Sequence, residues 1–210
     1  MKKILPILAL AMGTAFTAGA EEIEQTHVGP KQGWYVGLEG LKTEVSANDV
    51  NVKSYDLDAG AAFAIGFDKK ITDNFVTGIE FEYVNYGSKK LGSALATTTN
   101  GGIVSADVEE SFSGYGLNIR PKYYFSNTKF YLGALLGYSA TKYEIELTKS
   151  NYNSATMGSE SGNGFTYGIE AGYEFDSGWM IQGGYRGLGT EFYDTNVDLT
   201  ALYIGGRYKF

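Results

Sequence analysis

The chain alternates apolar and polar side chains over most of its length. Residues 202–210 illustrate the pattern, because Leu202 and Ile204 fall on one parity while Arg207 and Lys209 fall on the other. A period of two places these sets on opposite faces of a β-strand. The alternation predicts eight strands, each long enough to cross a membrane at a tilt. We place them at residues 33–42, 58–68, 75–86, 111–125, 129–143, 163–175, 179–187 and 197–210.

The predicted connections alternate between short and long. Three are short, and in the third of them Gly178 suits the positive φ of a tight turn; they cover residues 69–74, 126–128 and 176–178. Four are long and polar, at 43–57, 87–110, 144–162 and 188–196. We expect 87–105 and 148–164, which are rich in Ser, Thr, Asn and Gly, to be mobile loops. Short turns at one rim and long loops at the other are typical of outer-membrane barrels, whose short turns are periplasmic.

Glycine is distributed unevenly between the two faces. The face that carries charges holds Gly37, Gly60, Gly66, Gly78, Gly114, Gly116, Gly133, Gly137, Gly168, Gly172, Gly184 and Gly205, whereas the apolar face holds only Gly40, Gly183 and Gly206. Glycine weakens a strand that faces water, but it makes room for large neighbours inside a narrow barrel. The polar face is therefore predicted to point inward, unlike that of a soluble barrel with an apolar interior.

Aromatic residues on the apolar face fall into two belts. The belt near the short turns comprises Trp34, Phe67, Phe75, Phe125, Phe130, Phe175, Trp179, Tyr208 and Phe210, and the belt near the long loops comprises Tyr83, Tyr115, Tyr138, Phe165, Tyr167 and Tyr185. Aliphatic residues lie between the belts, which is the pattern of a membrane barrel. The sequence predicts an all-β protein, an eight-stranded antiparallel up-and-down transmembrane β-barrel.

The predicted lumen collects five acids and five bases: Glu39, Glu80, Glu82, Glu170, Glu174, Arg120, Lys122, Arg186, Arg207 and Lys209. Charges in a narrow interior are tolerated when they are paired and hydrogen-bonded, so we expect an ion-pair network that plugs the barrel. The alternative is a narrow polar path for ions or small solutes. Glu80 and Glu82 could also suggest acid/base catalysis, but their spacing is that of any two neighbours on a strand face.

The first twenty residues read as a secretory signal peptide. Lys2 and Lys3 precede an apolar stretch that is too short to span a membrane, and cleavage is expected after Ala20. Residues 21–32 would be a periplasmic lead-in to a barrel domain at 33–210. No later apolar run is long enough for a transmembrane helix, so entry into a membrane would use strands.

Composition excludes several classes of function. The formal net charge is −7, and it becomes −9 without the signal peptide, which carries two lysines and no acids. Nucleic acid is therefore not an expected partner, because phosphate contacts need basic patches. The chain has no cysteine, which excludes disulfides and thiolate chemistry. We expect neither a cofactor nor a bound metal.

Several segments carry a family resemblance: Gly-Trp-Tyr-Val-Gly-Leu-Glu-Gly at 33–40, Gly-Ile-Glu-Phe-Glu-Tyr at 78–83, Tyr-Gly-Ile-Glu-Ala-Gly-Tyr-Glu-Phe at 167–175 and Tyr-Ile-Gly-Gly-Arg-Tyr-Lys-Phe at 203–210. With these the chain resembles small outer-membrane barrels of the opacity-protein, OmpA-like and OmpX type, which include surface antigens, adhesins and proteins named porins. The resemblance implies the bacterial outer membrane, contact with its lipid and lipopolysaccharide, and an extracellular or host ligand bound through the long loops. It also implies that the barrel-assembly machinery reads Tyr208 and Phe210. We expect a monomer.

The remaining class of function is that of an outer-membrane enzyme. Barrel enzymes such as lipid A deacylases, palmitoyltransferases and omptin proteases rely, as families, on a catalytic histidine near the membrane or the outer rim. The one histidine of this chain, His27, precedes the first predicted strand on the periplasmic side. A Ser-His or Asp-His arrangement on the barrel is therefore unavailable, and the chain is predicted not to be an enzyme.

Overall fold

The fold is built almost entirely of β-strands. The computed structural model describes residues 30–47, 54–97, 103–149, 152–192 and 195–210. The predicted signal peptide, its cleavage at Ala20 and His27 lie outside the described residues. The strands in the described ranges are β1 (Gly33–Ala47), β2 (Tyr55–Asp56), β3 (Gly60–Lys70), β4 (Phe75–Thr97), β5 (Ile103–Tyr124), β6 (Phe130–Lys149), β7 (Tyr152–Glu174), β8 (Trp179–Phe192) and β9 (Thr195–Lys209).

Eight of these strands close into a ring. Each of β4 to β8 pairs antiparallel with the strands before and after it in the chain, and β1 pairs with both β3 and β9. The closing register runs from Tyr35 opposite Lys209 to Ala47 opposite Val197. The prediction of an eight-stranded antiparallel up-and-down barrel is confirmed. The two-residue β2, which the pattern did not predict, pairs with the end of β1 at Glu44 and Val45.

The short turns lie at one rim, as the sequence predicts. They join β3 to β4, β5 to β6 and β7 to β8. Gly178 has a φ of 88° and Asn127 a φ of 58°, so each of the two three-residue turns contains a residue in the left-handed region. Within the described ranges, no helix is long and apolar enough to span a membrane.

The two faces of the wall follow the predicted parity. On β1 the odd residues from Tyr35 to Val45 are buried, while Trp34 and Leu38 are exposed. On β9 the same rule leaves Leu202 and Ile204 about two-thirds exposed and buries Arg207. A wall with its aliphatic side outward and its charges inward requires an apolar medium around it.

Ring contacts support the two aromatic belts. Near the short turns Trp179 packs on Tyr208, whose ring lies 5.2 Å from that of Phe210. At the other height Tyr83 packs on Tyr115 at 5.1 Å, and Tyr138 packs on Phe165 at 5.3 Å. Exposed Ile79, Leu117, Leu136, Ile169, Ile181, Leu202 and Ile204 lie on the wall between them. The membrane-facing band therefore ends on both sides in amphipathic rings.

Beyond the outer belt, four strands continue as a sheet rather than ending in loops. We call this the outer sheet: residues 86–97 of β4, 103–112 of β5, 143–149 of β6 and 152–163 of β7. The expectation of loops at 87–105 and 148–164 is wrong for the described parts of these segments. Cross-strand pairs such as Lys89 opposite Glu110 extend the ladders there, so the backbone groups remain hydrogen-bonded. Residues 98–102 and 150–151 lie outside the described residues.

Candidate functional site

Buried side chains fill the lumen in three layers. The outer layer is apolar and consists of Leu41, Val45, Leu57, Ala62, Val84, Tyr86, Phe112, Leu188, Phe192, Leu199, Ala201 and Tyr203. The sequence analysis, which predicted a polar lumen, missed it. Apart from Leu57, which follows β2, its residues are inward positions of the strands, so the signal was a change from polar to apolar identity along one face. An apolar layer of this size excludes water from the outer end of the lumen.

Glu39 is the hub of the central layer. Its carboxylate lies 2.8 Å from the guanidinium of Arg207 and 3.6 Å from those of Arg120 and Arg186. The amide of Gln182 also donates a hydrogen bond to Glu39, at 2.8 Å. These partners belong to β5, β8 and β9, so one carboxylate on β1 ties together strands from around the whole ring.

Three further carboxylates complete the central layer. Arg120 contacts Glu80 at 2.8 Å and also pairs with Glu170, while Arg186 pairs with Glu82. Arg207 contacts the other oxygen of Glu80 at 2.6 Å. Tyrosines add neutral donors, since the Tyr35 hydroxyl donates to Glu80 and the Tyr203 hydroxyl donates to Glu170, both at 2.9 Å. Every one of these charges except Glu82 is thus held by partners from more than one strand.

The inner layer uses lysines. Lys122 lies 2.8 Å from Asp68, and Lys209 lies 2.9 Å from Asp68 and 3.0 Å from Glu174. The Tyr124 hydroxyl donates to Glu174 at 2.5 Å. Lys209 also donates to the backbone carbonyl of Lys31, so the chain preceding β1 lies across this end of the lumen.

The structure brings all ten candidate lumen residues into the interior. Glu39, Glu80, Glu82, Arg120, Arg186, Arg207 and Glu170 meet in the central layer, and Lys122, Lys209 and Glu174 meet in the inner one. Asp68 is an eleventh member that sequence reasoning missed. It has the inward parity of β3, but it stands last in the predicted strand, beside the turn, where an acid is ordinarily solvated.

Chemically, the layered lumen is better suited to stability than to catalysis. Glu80 and Glu82 are at most 1% exposed, and arginines contact both carboxylates. A general acid or base needs access to a substrate proton, which neither has. Among the described residues, no group of three His, Cys, Asp or Glu side chains is arranged to hold a metal ion.

A second feature lies at the outer mouth, where residues 55–58 fold over the lumen. Leu57 is buried in the apolar layer, and its backbone nitrogen donates to the carbonyl of Thr43 at 2.9 Å. Asp56 forms an exposed ion pair with Lys42 at 2.8 Å. The short strand β2 therefore covers one side of the mouth.

Tyr55 connects this cover to the outer sheet. Its ring lies 4.3 Å from the ammonium of Lys89 on β4. Burial, and then a hydrogen bond to the neighbouring Glu110 carboxylate, raise the pKa of the Tyr55 hydroxyl above its ordinary value. The mouth is thus closed by packing and by polar contacts to the base of the outer sheet.

Comparison with known proteins gives one family and a set of similar folds. A family model described as the outer membrane protein beta-barrel domain matches residues 7–210. No curated protein matches the chain. Among solved structures it is similar to Ail, the attachment invasion locus protein of Yersinia pestis, at 15% identity with a TM-score of 0.52, over 85% of this chain and 100% of Ail.

Two further solved structures are similar in fold. Ail in complex with the heparin analogue sucrose octasulfate has 14% identity and a TM-score of 0.50, with coverage of 85% of this chain and 100% of Ail. OprG from Pseudomonas aeruginosa has 14% identity and a TM-score of 0.47, with coverage of 88% of this chain and 99% of OprG. At such identities the likeness concerns the fold alone.

Proposed function

The chain belongs to the outer membrane protein β-barrel family, and from that premise we propose that it is a non-enzymatic surface protein with a charge-plugged lumen and an outer sheet that contacts partners outside the cell. The protein is located in the bacterial outer membrane. Adhesion to a host or matrix molecule, or a contribution to membrane integrity through such contacts, is the role that this architecture supports best.

The observation that carries this proposal is the height of the outer sheet. On β4 the outward-facing ring of Tyr83 belongs to the outer belt. The strand continues from there to Thr97, a length of about 45 Å along the strand. Its partner β3 is paired with it only as far as Asn85. The four extended strands therefore rise above the rest of the rim and offer a large, ordered surface to the outside.

Shortening the outer sheet tests the proposal. Residues 93–107 are replaced by Asn-Gly, which joins the paired Gly92 and Val108 through a tight turn, and residues 147–155 are replaced in the same way between Glu146 and Thr156. Cells that carry the intact protein are expected to bind a panel of immobilised matrix proteins and polysaccharides, and the shortened variants to lose at least one of these contacts. Undiminished binding by both variants, at equal surface levels, would contradict the proposal.

A narrow pore is the alternative, and conductance separates the two. The purified barrel in a planar bilayer is expected to give no stable ohmic channel, because the apolar outer layer and the paired central charges leave no continuous water path. Protein that has been heated before addition is the control for detergent artefacts. A reproducible channel from the folded protein would favour the pore.

We further propose that the folded protein is a monomer embedded in outer-membrane lipid and lipopolysaccharide, and that the assembly machinery recognises Tyr208 and Phe210 in the closing strand. Tyr208 on β9 and Phe210, which follows its last residue, both lie on the membrane-facing side in the belt near the short turns. The backbone nitrogen of Phe210 donates to the carbonyl of Trp34 on β1 at 2.8 Å, so the same residues form the seam of the barrel.

A further inference from the structure

On β5 and β6 the outer sheet is amphipathic, and its inner face is mainly apolar. On β5 the inward parity of Phe112 continues through Glu110, Val108 and Ala106. On β6 the parity of Tyr143 continues through Ile145 and Leu147, which stand opposite Glu110 and Val108. The inner face, as we use the term below, consists of Ala106, Val108, Glu110, Ile145 and Leu147, together with Lys89 of β4, which stands opposite Glu110 and lies over the Tyr55 ring.

The opposite side of the sheet is polar on β5 and β6, whereas β4 places the exposed Leu95 there. On β5 it carries Asp107 and Glu109, of which Asp107 forms an exposed ion pair with Lys90 at 2.7 Å. On β6 it carries Glu144 and Glu146. An apolar inner face above the membrane is only half covered, since Val108, Ile145 and Leu147 keep intermediate exposure. A sheet face of this kind is typical of a surface that binds a partner.

Glu110 is the unusual member of the inner face. It is only 3% exposed, and one carboxylate oxygen, Oε2, accepts a hydrogen bond from Tyr143 at 3.3 Å. The Tyr55 hydroxyl is a second donor to this carboxylate, whereas Oε1 has no hydrogen-bond partner among the described residues. A buried carboxylate oxygen without a donor is costly, and a donor from a ligand would remove that cost.

The charge of the surrounding residues indicates whether that ligand is a cation or an anion. The described residues on the outer side of the barrel, at 42–47, 54–58, 86–97, 103–111, 142–149, 152–163, 188–192 and 195–200, contain eleven acids and five bases, a formal charge of −6. A polyanion would be repelled by this surface, whereas a cation would be attracted to it at long range. The buried carboxylate and the surrounding charge therefore favour the same class of partner.

We propose that the inner face of the outer sheet docks a cationic amphipathic polypeptide segment, whose apolar side chains pack on Val108, Ile145 and Leu147 while a lysine or arginine donates to Glu110. This inference rests on the proposed function, because it assigns a partner class to the same surface. The proposed site would prefer a cationic ligand. Ail, by contrast, was solved in complex with the heparin analogue sucrose octasulfate, a sulfated sugar.

The test uses the full-length protein in nanodiscs of zwitterionic lipid, with empty nanodiscs as the background. The probes are a short synthetic peptide of alternating leucine and lysine, its leucine–glutamate counterpart, and sucrose octasulfate. The leucine–lysine peptide is expected to bind, with an affinity that falls as salt rises, and the two anionic probes are expected not to bind. Tighter binding of either anionic probe would overturn the proposal.

Two neighbouring carboxylates give a matched pair of variants. Glu110→Gln keeps the shape of the side chain and is expected to weaken peptide binding about tenfold, since it removes a charge-assisted hydrogen bond. Glu109→Gln removes the same charge from the opposite side of the strand and is expected to change the affinity by less than about twofold. Equal losses in the two variants would overturn the docking site, because binding would then depend on overall charge.

A third variant covers the case in which Glu110→Gln disturbs the fold. Leu147→Ser leaves every charge in place and is expected to weaken binding of the leucine–lysine peptide several-fold through lost apolar contact. An unchanged affinity would overturn the inference. If no peptide binds while the intact protein still captures a matrix partner through the outer sheet, this inference fails and the proposed function stands.

Discussion

Replacing Arg120 by methionine is expected to lower the free energy of unfolding by about 3–5 kcal/mol, the usual cost of removing one partner from a buried ion-pair network. The Arg120 side chain is fully buried and contacts Glu39, Glu80 and Glu170. Methionine fills much of the same space but offers no donor. The three carboxylates would then share the remaining arginines, and part of their charge would be left without compensation in a medium of low polarity.

The matched control is Lys90→Met, which also removes one positive charge. Lys90 pairs with Asp107 on the outer sheet, where both side chains are about half exposed. We expect this variant to lose less than about 1 kcal/mol, because water replaces the lost partner. Urea unfolding in lipid bilayers, followed by the fluorescence of Trp34 and Trp179, measures both variants. Similar losses in the two would contradict a special role of the central layer.

A second substitution separates charge from packing. If the loss in Arg120→Met comes from stranded carboxylates, then adding Glu170→Gln should recover at least about 1 kcal/mol, because one of the uncompensated charges is removed. The amide oxygen that this second substitution introduces could still accept the hydrogen bond from the Tyr203 hydroxyl. Simple additivity of the two losses would show that Arg120 acts through the volume of its side chain.

The architecture of the barrel could be predicted from local sequence because its wall has a strict period. Each membrane-spanning strand must place one parity in lipid and the other in the lumen, so residues such as Leu202 and Arg207 have to differ in chemistry. The uneven distribution of glycine between the two faces then predicts which face points into the lumen. Burial agrees with that assignment on β1 from Tyr35 to Val45 and on β9, where every inward side chain from Leu199 to Lys209 other than Gly205 is buried.

The outer sheet could not be predicted in the same way, because bulges interrupt the alternation. The β4–β5 ladder shifts register between Asn85 and Gly87 and again between Lys90 and Gly92. The β6–β7 ladder shifts between Ile145 and Glu146. The shifts on β4 exchange the parity of its two faces, so the pattern breaks near residue 86, where the predicted strand ends, and on β7 the unpaired Met157 has the same effect. The polar residues of the outer-sheet segments then resemble those of a loop.

The pairings inside the lumen also lie beyond local sequence. Parity places Glu39 inward, but which residues it meets depends on the stagger of eight strands around the ring. Its arginine partners come from positions 81, 147 and 168 residues further along the chain, as Arg120, Arg186 and Arg207. Such contacts follow from barrel closure, which alternation along single strands does not encode.

Adjacent glycines on β9 allow the inside and the outside of the wall to be tested with one substitution. Gly205→Val is expected to cost about 3 kcal/mol or more, because a Cβ at this position would stand 2.7 Å from Cγ of Glu39 and press on the backbone of Leu38. The side chain introduced by Gly206→Val would point to lipid. Its Cβ would have the carbonyl oxygen of Met180, at 3.8 Å, as the nearest atom.

Gly206→Val is therefore expected to be neutral or to stabilise the barrel by up to about 1 kcal/mol, since valine suits a strand better than glycine and adds apolar surface in lipid. The folded fraction, measured by the shift between unheated and heated protein on a detergent gel, and urea unfolding in bilayers would compare the two variants. Neighbouring positions share the same local backbone and the same added atoms, so only the medium and the packing differ. Equal losses at both positions would contradict the assignment of the two faces, and with it the closed, charge-filled lumen on which the proposed function depends.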